Sequence, residues 1–242
     1  MSIDHKLLES YMTGFYGYGN ESALYWFIGL EEGGGDSLDE IKRRVNVWSE
    51  MGGKSIYDLY EYHQKIGIEK WFDDQDNILQ PTWSRYCKII LASTNDHDPT
   101  RDEVWDYQSQ YFGRKEGKEL LAELRPLPSP KKNFWIYNTL NIPYLKSRES
   151  YEKYITPLRI NFLRTLFIDK KPKMVLFNSK SQNSLNAWKQ IFDISYKQDD
   201  EFDYLLGKDG ETYFFITNNM TSGQVTNQEL YKIGKNIKKF IL

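Results

Sequence analysis

The sequence predicts an α/β protein built as a three-layer, doubly wound sheet of about four mainly parallel strands with helices on both faces. Two observations carry that expectation. Short, continuous apolar runs rich in β-formers recur at residues 24–30, 120–124, 173–177 and 213–217, the pattern of strands covered on both faces. Between them lie segments whose apolar residues return at three- and four-residue steps, the pattern of helices.

The elements follow in order. LYWFIGL at 24–30 is the first strand, and it runs through a glycine turn into EEGGGDSLDEIKRRVNVW. There Asp36 or Ser37 can cap a helix carrying Leu38, Ile41, Val45 and Trp48 at helical spacing. Residues 51–77 read as a helical insertion, with Ile56, Leu59, Tyr60 and His63 in helical steps, and 83–93 as a further helix. Residues 120–124 form the second strand. The RPLPSP that follows cannot sit in a central ladder and makes a rigid loop at the strand's end. A helix at 158–168, the strand KMVLF at 173–177 and a helix at about 182–192 come next. The strand YFFIT, the polar loop 218–225 and a final helix at 227–242 with a lysine-rich side complete the chain.

Composition narrows the class. In 242 residues, 32 Lys and Arg against 34 Asp and Glu give a net charge of −2. With 40% hydrophobic residues and 16 glycines, disordered, collagenous and coiled-coil readings fall away. The single cysteine, Cys87, excludes an internal disulfide and a cysteine-ligated iron–sulfur cluster, and His5, His63 and His97 do not supply a zinc site, so no metal is expected. No apolar run approaches the roughly 18 residues of a membrane helix, and the start has no signal-peptide core. Cytoplasmic location without a membrane partner is therefore the expectation. Neither a repeat nor a linker divides the chain, which reads as one domain over 1–242 with a helical insertion at about 51–110. Near-neutral charge argues against a uniformly basic nucleic-acid surface but leaves room for a local basic groove. The 16% aromatic content fits either a bulky core or a surface that stacks on flat ligands.

In doubly wound sheets ligands bind beyond the carboxyl ends of the strands. Here those ends carry GLEEGGG, ELRPLPSP, FNSKS and TNNMTSG. A dinucleotide fingerprint and a phosphate loop ending in GK[ST] are both missing, so no cofactor is expected. Two adjacent carboxylates, Glu31 and Glu32, would repel a pyrophosphate. A glutamate held at a strand end suits orienting or deprotonating a water, while either one could instead cap the next helix. No serine or cysteine has the partners of a nucleophile. What remains is a polar set, Glu31, Glu32, Glu123, Asn178, Asn218 and Asn219, able to read hydrogen-bonding edges and position water.

These loops carry a resemblance. An acidic, glycine-flanked loop after the first strand, a proline-rich loop after the second and a polar loop after the last look like the uracil-DNA glycosylase superfamily. The resemblance implies that Glu31 takes the place of the water-activating Asp, and that in NNMTSG Asn219 takes the histidine's place, Met220 the proline's and Thr221 the serine's. It implies base contacts from Glu32, Glu123, Asn178 and Asn218, and DNA contacts from Gly33, Gly34, Met220, Thr221, Ser222 and Lys180. Asn219 in place of His removes a charge that could stabilise a departing base anion. Glu123 in place of an amide accepts without donating, which suits the N4 amino group of cytosine better than O4 of uracil. The expected activity is therefore monofunctional excision of a flipped-out modified or cytosine-like base from DNA, in repair or phage defence. Met220 either wedges between base steps or tucks under its own loop. Trp48, Tyr111 and Phe112 are candidate stacking platforms, and the last helix with Lys180 and Arg114 a candidate phosphate contact. The competing expectation is a non-catalytic nucleic-acid or nucleotide binder on the same sheet, or a hydrolase of small polar substrates.

Overall fold

The computed structural model describes residues 3–73, 75 and 77–241. In chain order the elements are α1 (His5–Gly14), β1 (Gly17–Gly19), β2 (Tyr25–Glu31), α2 (Leu38–Glu50), β3 (Ile56–Tyr57), α3 (Leu59–Lys65), α4 (Trp83–Thr94), α5 (Arg101–Gln110) and β4 (Glu119–Arg125). They continue with α6 (Arg148–Lys170), β5 (Met174–Asn178), α7 (Gln182–Ile191), β6 (Tyr196–Gln198), β7 (Leu205–Asp209), β8 (Thr212–Thr217) and α8 (Asn227–Ile241).

The class is α/β, but the sheet is larger and more mixed than the sequence suggests: eight strands in the order β3-β1-β4-β2-β5-β8-β7-β6. The four long apolar runs are its parallel centre, β4-β2-β5-β8. The unexpected strands are short and peripheral. β1 pairs antiparallel with β4 and parallel with β3, and β6 and β7 form an antiparallel margin on β8. GYG and LLGKD, next to the sheet's two edges, are short and interrupted by glycine and charge, so they lack the continuous hydrophobic signal of the centre.

Alternation along the central strands sorts their side chains into two layers. Phe27, Leu121, Leu176 and Phe215 join one buried cluster with residues of α1, α2, α3, α4 and α8. Trp26, Ala122, Val175 and Phe214 join the other with α6 and α7. From β2 the chain reaches β4 on one side, then returns through α6 to β5 on the other. That reversal opens a crevice at the carboxyl ends of β2 and β5, where an open α/β sheet binds its ligand.

Local chemistry sets the boundaries. Ser37 is the cap of α2, its Oγ accepting from the Glu40 amide at 3.2 Å. Within the insertion, Ile56 belongs to β3, because Asp58 caps α3 and starts the helix only at Leu59. Helix α6 begins ten residues earlier than its spacing suggests, capped by Ser147 and running through Pro157. No helix among the described residues is long and apolar enough to cross a membrane.

A buried arginine fastens this frame. Arg159 on α6 is wholly enclosed and donates to the carbonyls of Phe15 (2.5 Å), Tyr16 (3.3 Å) and Glu123 (2.5 Å), lying over the Tyr16 ring. It thus ties the second layer to the β1–β4 seam. An Arg159→Met variant leaves three carbonyls without this donor and should lose about 3 kcal/mol or more in urea unfolding. A loss under about 1 kcal/mol would show that water replaces the guanidinium there.

Candidate functional site

The crevice holds a cavity of about 680 Å³ on the α2–α4 side of the sheet. Its floor is built from residues that share one face of the central strands. Gly29 pairs with Glu123 across β2 and β4, and a Cβ at Gly29 would fall on the Glu123 carboxyl. The missing side chain is what lets Glu123 lie across β2. Glu123 Oε2 is sealed from solvent and has no hydrogen-bond partner among the described residues. Burial, reinforced by Glu32 and Glu31, pushes this carboxyl well above the usual range. Beside it Phe27 stacks on Tyr86 with ring centroids 4.3 Å apart, and Asn178 lines the same cavity.

The two adjacent glutamates meet different fates. Arg148 Nη1 holds both Glu31 oxygens at 2.7 and 2.6 Å, while its Nη2 donates to Ser129 Oγ at 2.7 Å and its guanidinium stacks on Trp135. Burial raises the Glu31 carboxyl and Arg148 opposes the rise. Glu31 is thereby a strut between β2, the proline loop and α6. The position expected to activate water is occupied by an ion pair, and its neighbour makes a different one. Glu32 accepts from Tyr18 at 3.1 Å on both oxygens and from Arg44 Nη1 at 3.0 Å on Oε1. His63 Nε2 stands 3.7 Å from the same Oε1.

His63 comes from α3, inside the insertion. Its Nδ1 lies 2.8 Å from the Leu59 carbonyl, which can only accept, so Nδ1 carries the proton and Nε2 of the neutral ring is an acceptor. Burial drives its pKa down to about 4, with Glu32 opposing. Two acceptors, Glu32 Oε1 and His63 Nε2, therefore face one another across a gap that a donor such as water can bridge.

The glycine loop is shaped for this arrangement. Glu40 Oε2 accepts from the Gly35 and Asp36 amides at 2.6 and 3.2 Å, and Glu40 Oε1 binds Arg44 at 2.9 Å. Gly34 has φ +95°, and a Cβ there would stand 2.8 Å from Glu40 Oε1 and 2.9 Å from Arg44 Nη2. Gly33 and Gly34 both line the cavity, with backbone rather than side chain. The aromatic wall comes from the insertion. Gln80 Oε1 caps α4 by accepting from the Thr82 and Trp83 amides at 2.7 Å, placing Trp83 edge-on to His63 with centroids 5.1 Å apart.

The structure brings together Glu31, Glu32, Gly33, Gly34, Glu123 and Asn178 around this cavity. It does not bring Asn218, Asn219, Thr221, Ser222 or Lys180 into its lining. Asn219 is exposed and folds its own loop, its Oδ1 accepting from the Thr221 amide and hydroxyl and its carbonyl from Ser222. Asn218 and Lys180 both bind Asp203. Met220 is fully buried in the core, with its amide donating to Asn178 Oδ1 at 2.8 Å, so it anchors the loop and is no exposed wedge. On α8, Lys232 and Lys238 pair with Glu201 and Asp96, and Arg114 pairs with Asp58. Trp48 and Phe112 are core residues and Tyr111 is exposed; none of them lines the cavity. The rings that do, Tyr18, Phe27, Trp71, Trp83 and Tyr86, belong to no strand-end loop. Among the described residues no group of three His, Cys, Asp or Glu side chains could hold a metal ion.

The sign of the His63 effect on stability is fixed by its depressed pKa. The unfolded imidazole takes its proton near 6.5 and the folded one near 4, so its stabilisation is complete above about pH 6.5 and is lost as pH falls towards 4. Across that window the unfolding free energy of the wild type, relative to His63→Phe, should fall by about 3 kcal/mol. A flat difference would mean that His63 takes up its proton at the same pH in the folded and the unfolded state. No protein-family model matches the chain, and neither does any curated protein, so the site is read from its own geometry.

Proposed function

We propose that this chain is a monofunctional DNA glycosylase that hydrolyses the N-glycosidic bond of a modified or cytosine-like base flipped out of DNA, in repair or in defence against modified phage DNA. The observation that carries the reading is the junction, in one strand-end cavity, of aromatic rings with a half-buried carboxylate that faces a neutral imidazole. The volume suits a base with part of its sugar, and the lining mixes aromatic rings with charged and polar groups able to read it. Rings from Phe27, Tyr86 and Trp83 offer stacking surface to the base. Glu32, whose Oε2 takes only the Tyr18 hydroxyl among the described residues, orients the water, and Glu123 with Asn178 reads the base edge.

One observation favours a second reading, the non-catalytic nucleic-acid or nucleotide binder. Glu31 and Glu32 are each already held by an arginine, Arg148 and Arg44, as in a site whose carboxylates serve structure. Glu32→Gln separates the two. Duplexes carrying uracil, cytosine, hydroxymethylcytosine or its glucosylated form are incubated with the protein, and abasic sites are converted to strand breaks. A glycosylase loses roughly 10²–10⁴-fold in rate with Glu32→Gln and keeps its DNA affinity. Binding without breaks on any duplex, in wild type and variant alike, selects the binder.

A further inference from the structure

The cavity lining is rich in negative charge. Its carboxylates, Glu31, Glu32, Asp36, Glu40, Glu69 and Glu123, stand against Arg43, Arg44 and Lys70. Arg148 takes Glu31, and Arg44 is shared between Glu32 and Glu40. Glu123 receives no such partner: the nearby Arg159 donates to its main-chain carbonyl, and the carboxyl Oε2 stays unpaired among the described residues. Around this carboxyl stand the Phe27–Tyr86 stack and, further along the lining, Trp83 and Trp71. An unpaired buried acid beside aromatic faces is a poor host for an anion or a carbonyl-rich neutral ring. It is a good host for a flat cation, whose charge offsets the burial that raises this carboxyl and which is drawn as well to the ring quadrupoles.

We propose that the base accepted here is cationic: a ring-N-alkylated heteroaromatic base, such as an N7-alkylated purine, seated with its charge between the Glu123 carboxylate and the aromatic wall. The inference rests on the glycosylase reading and narrows its substrate. The reaction balances without a further reagent. The water oxygen bonds to C1′ as the C1′–N bond breaks, the bond's electron pair returns to the ring nitrogen and cancels the positive charge, and the water's proton passes to Glu32 or His63 Nε2. The base departs as a neutral molecule. Such a leaving group needs no cationic side chain to stabilise it, in keeping with Asn219 lying exposed and outside the lining.

Two measurements test this. Quenching of tryptophan fluorescence compares 7-methylguanosine with guanosine. The cation should bind at least about tenfold tighter, and Glu123→Gln, nearly isosteric, should remove most of that preference. Trp83→Leu should weaken both nucleosides and supplies a second variant at a partly exposed position. In parallel, duplexes carrying N7-methylguanine or N3-methyladenine are compared with duplexes carrying uracil or hydroxymethylcytosine. Faster release of the alkylated bases, by about tenfold or more, supports the proposal. Equal nucleoside affinities, or release confined to neutral bases, overturn it and leave the glycosylase reading standing. Absence of release from every duplex overturns the glycosylase reading and this proposal with it.

Discussion

The guanidinium of Arg44 is the constraint on which the site depends. It is nearly inaccessible at 3% exposure, and it reaches two carboxylates from different parts of the chain, Glu32 after β2 and Glu40 one turn earlier on its own helix. Burial works against its charge, and the surrounding groups, Glu32 foremost, more than compensate, holding its pKa above that of an ordinary arginine. Because Glu40 also caps the Gly35 and Asp36 amides, one cation fixes the glycine loop, the start of α2 and the orientation of Glu32. Its main-chain carbonyl accepts from Tyr62 at 2.9 Å, which docks α3 and with it His63. Removing one partner of such a buried network strands the others, so the loop, the helix and the imidazole hold or fail together.

Much of the central sheet was legible because burial on both faces demands uninterrupted apolar residues, and LYWFIGL and YFFIT meet that demand. The strand ends were legible for the same reason, and with them Glu31, Glu32, Glu123 and Asn178. What escaped depends on contacts distant in the chain. Pairing of GYG with β3 and β4 is a tertiary event that the three residues do not announce. Pro157 conceals the first half of α6, although the Ser147 cap was a readable start signal. His63 fits the helical spacing of its segment, and nothing local says that the helix delivers it to Glu32 across 31 residues of sequence. The adjacency of Glu31 and Glu32 hid their difference: the first belongs to the strand and reaches Arg148, and the second lies just past it and reaches Arg44.

The site thus combines two kinds of material. Strand ends contribute acids held by arginines, which are rigid and well defined. The segment between β2 and β4 contributes an imidazole and the Trp71 and Trp83 rings, which enclose the space above them. Electrostatics of this kind acts strongly because the groups are withdrawn from water, where each unscreened charge is felt by its neighbours. The rise of Glu123, driven first by burial and then by Glu32 and Glu31, is the clearest sign of that withdrawal.

Asn178 carries a consequence of a different order. It lines the cavity, and its side-chain carbonyl holds the Met220 amide at the root of the loop after β8. The exposed turn built by Asn219 and the cavity wall therefore share one residue, so a substitution there disturbs both.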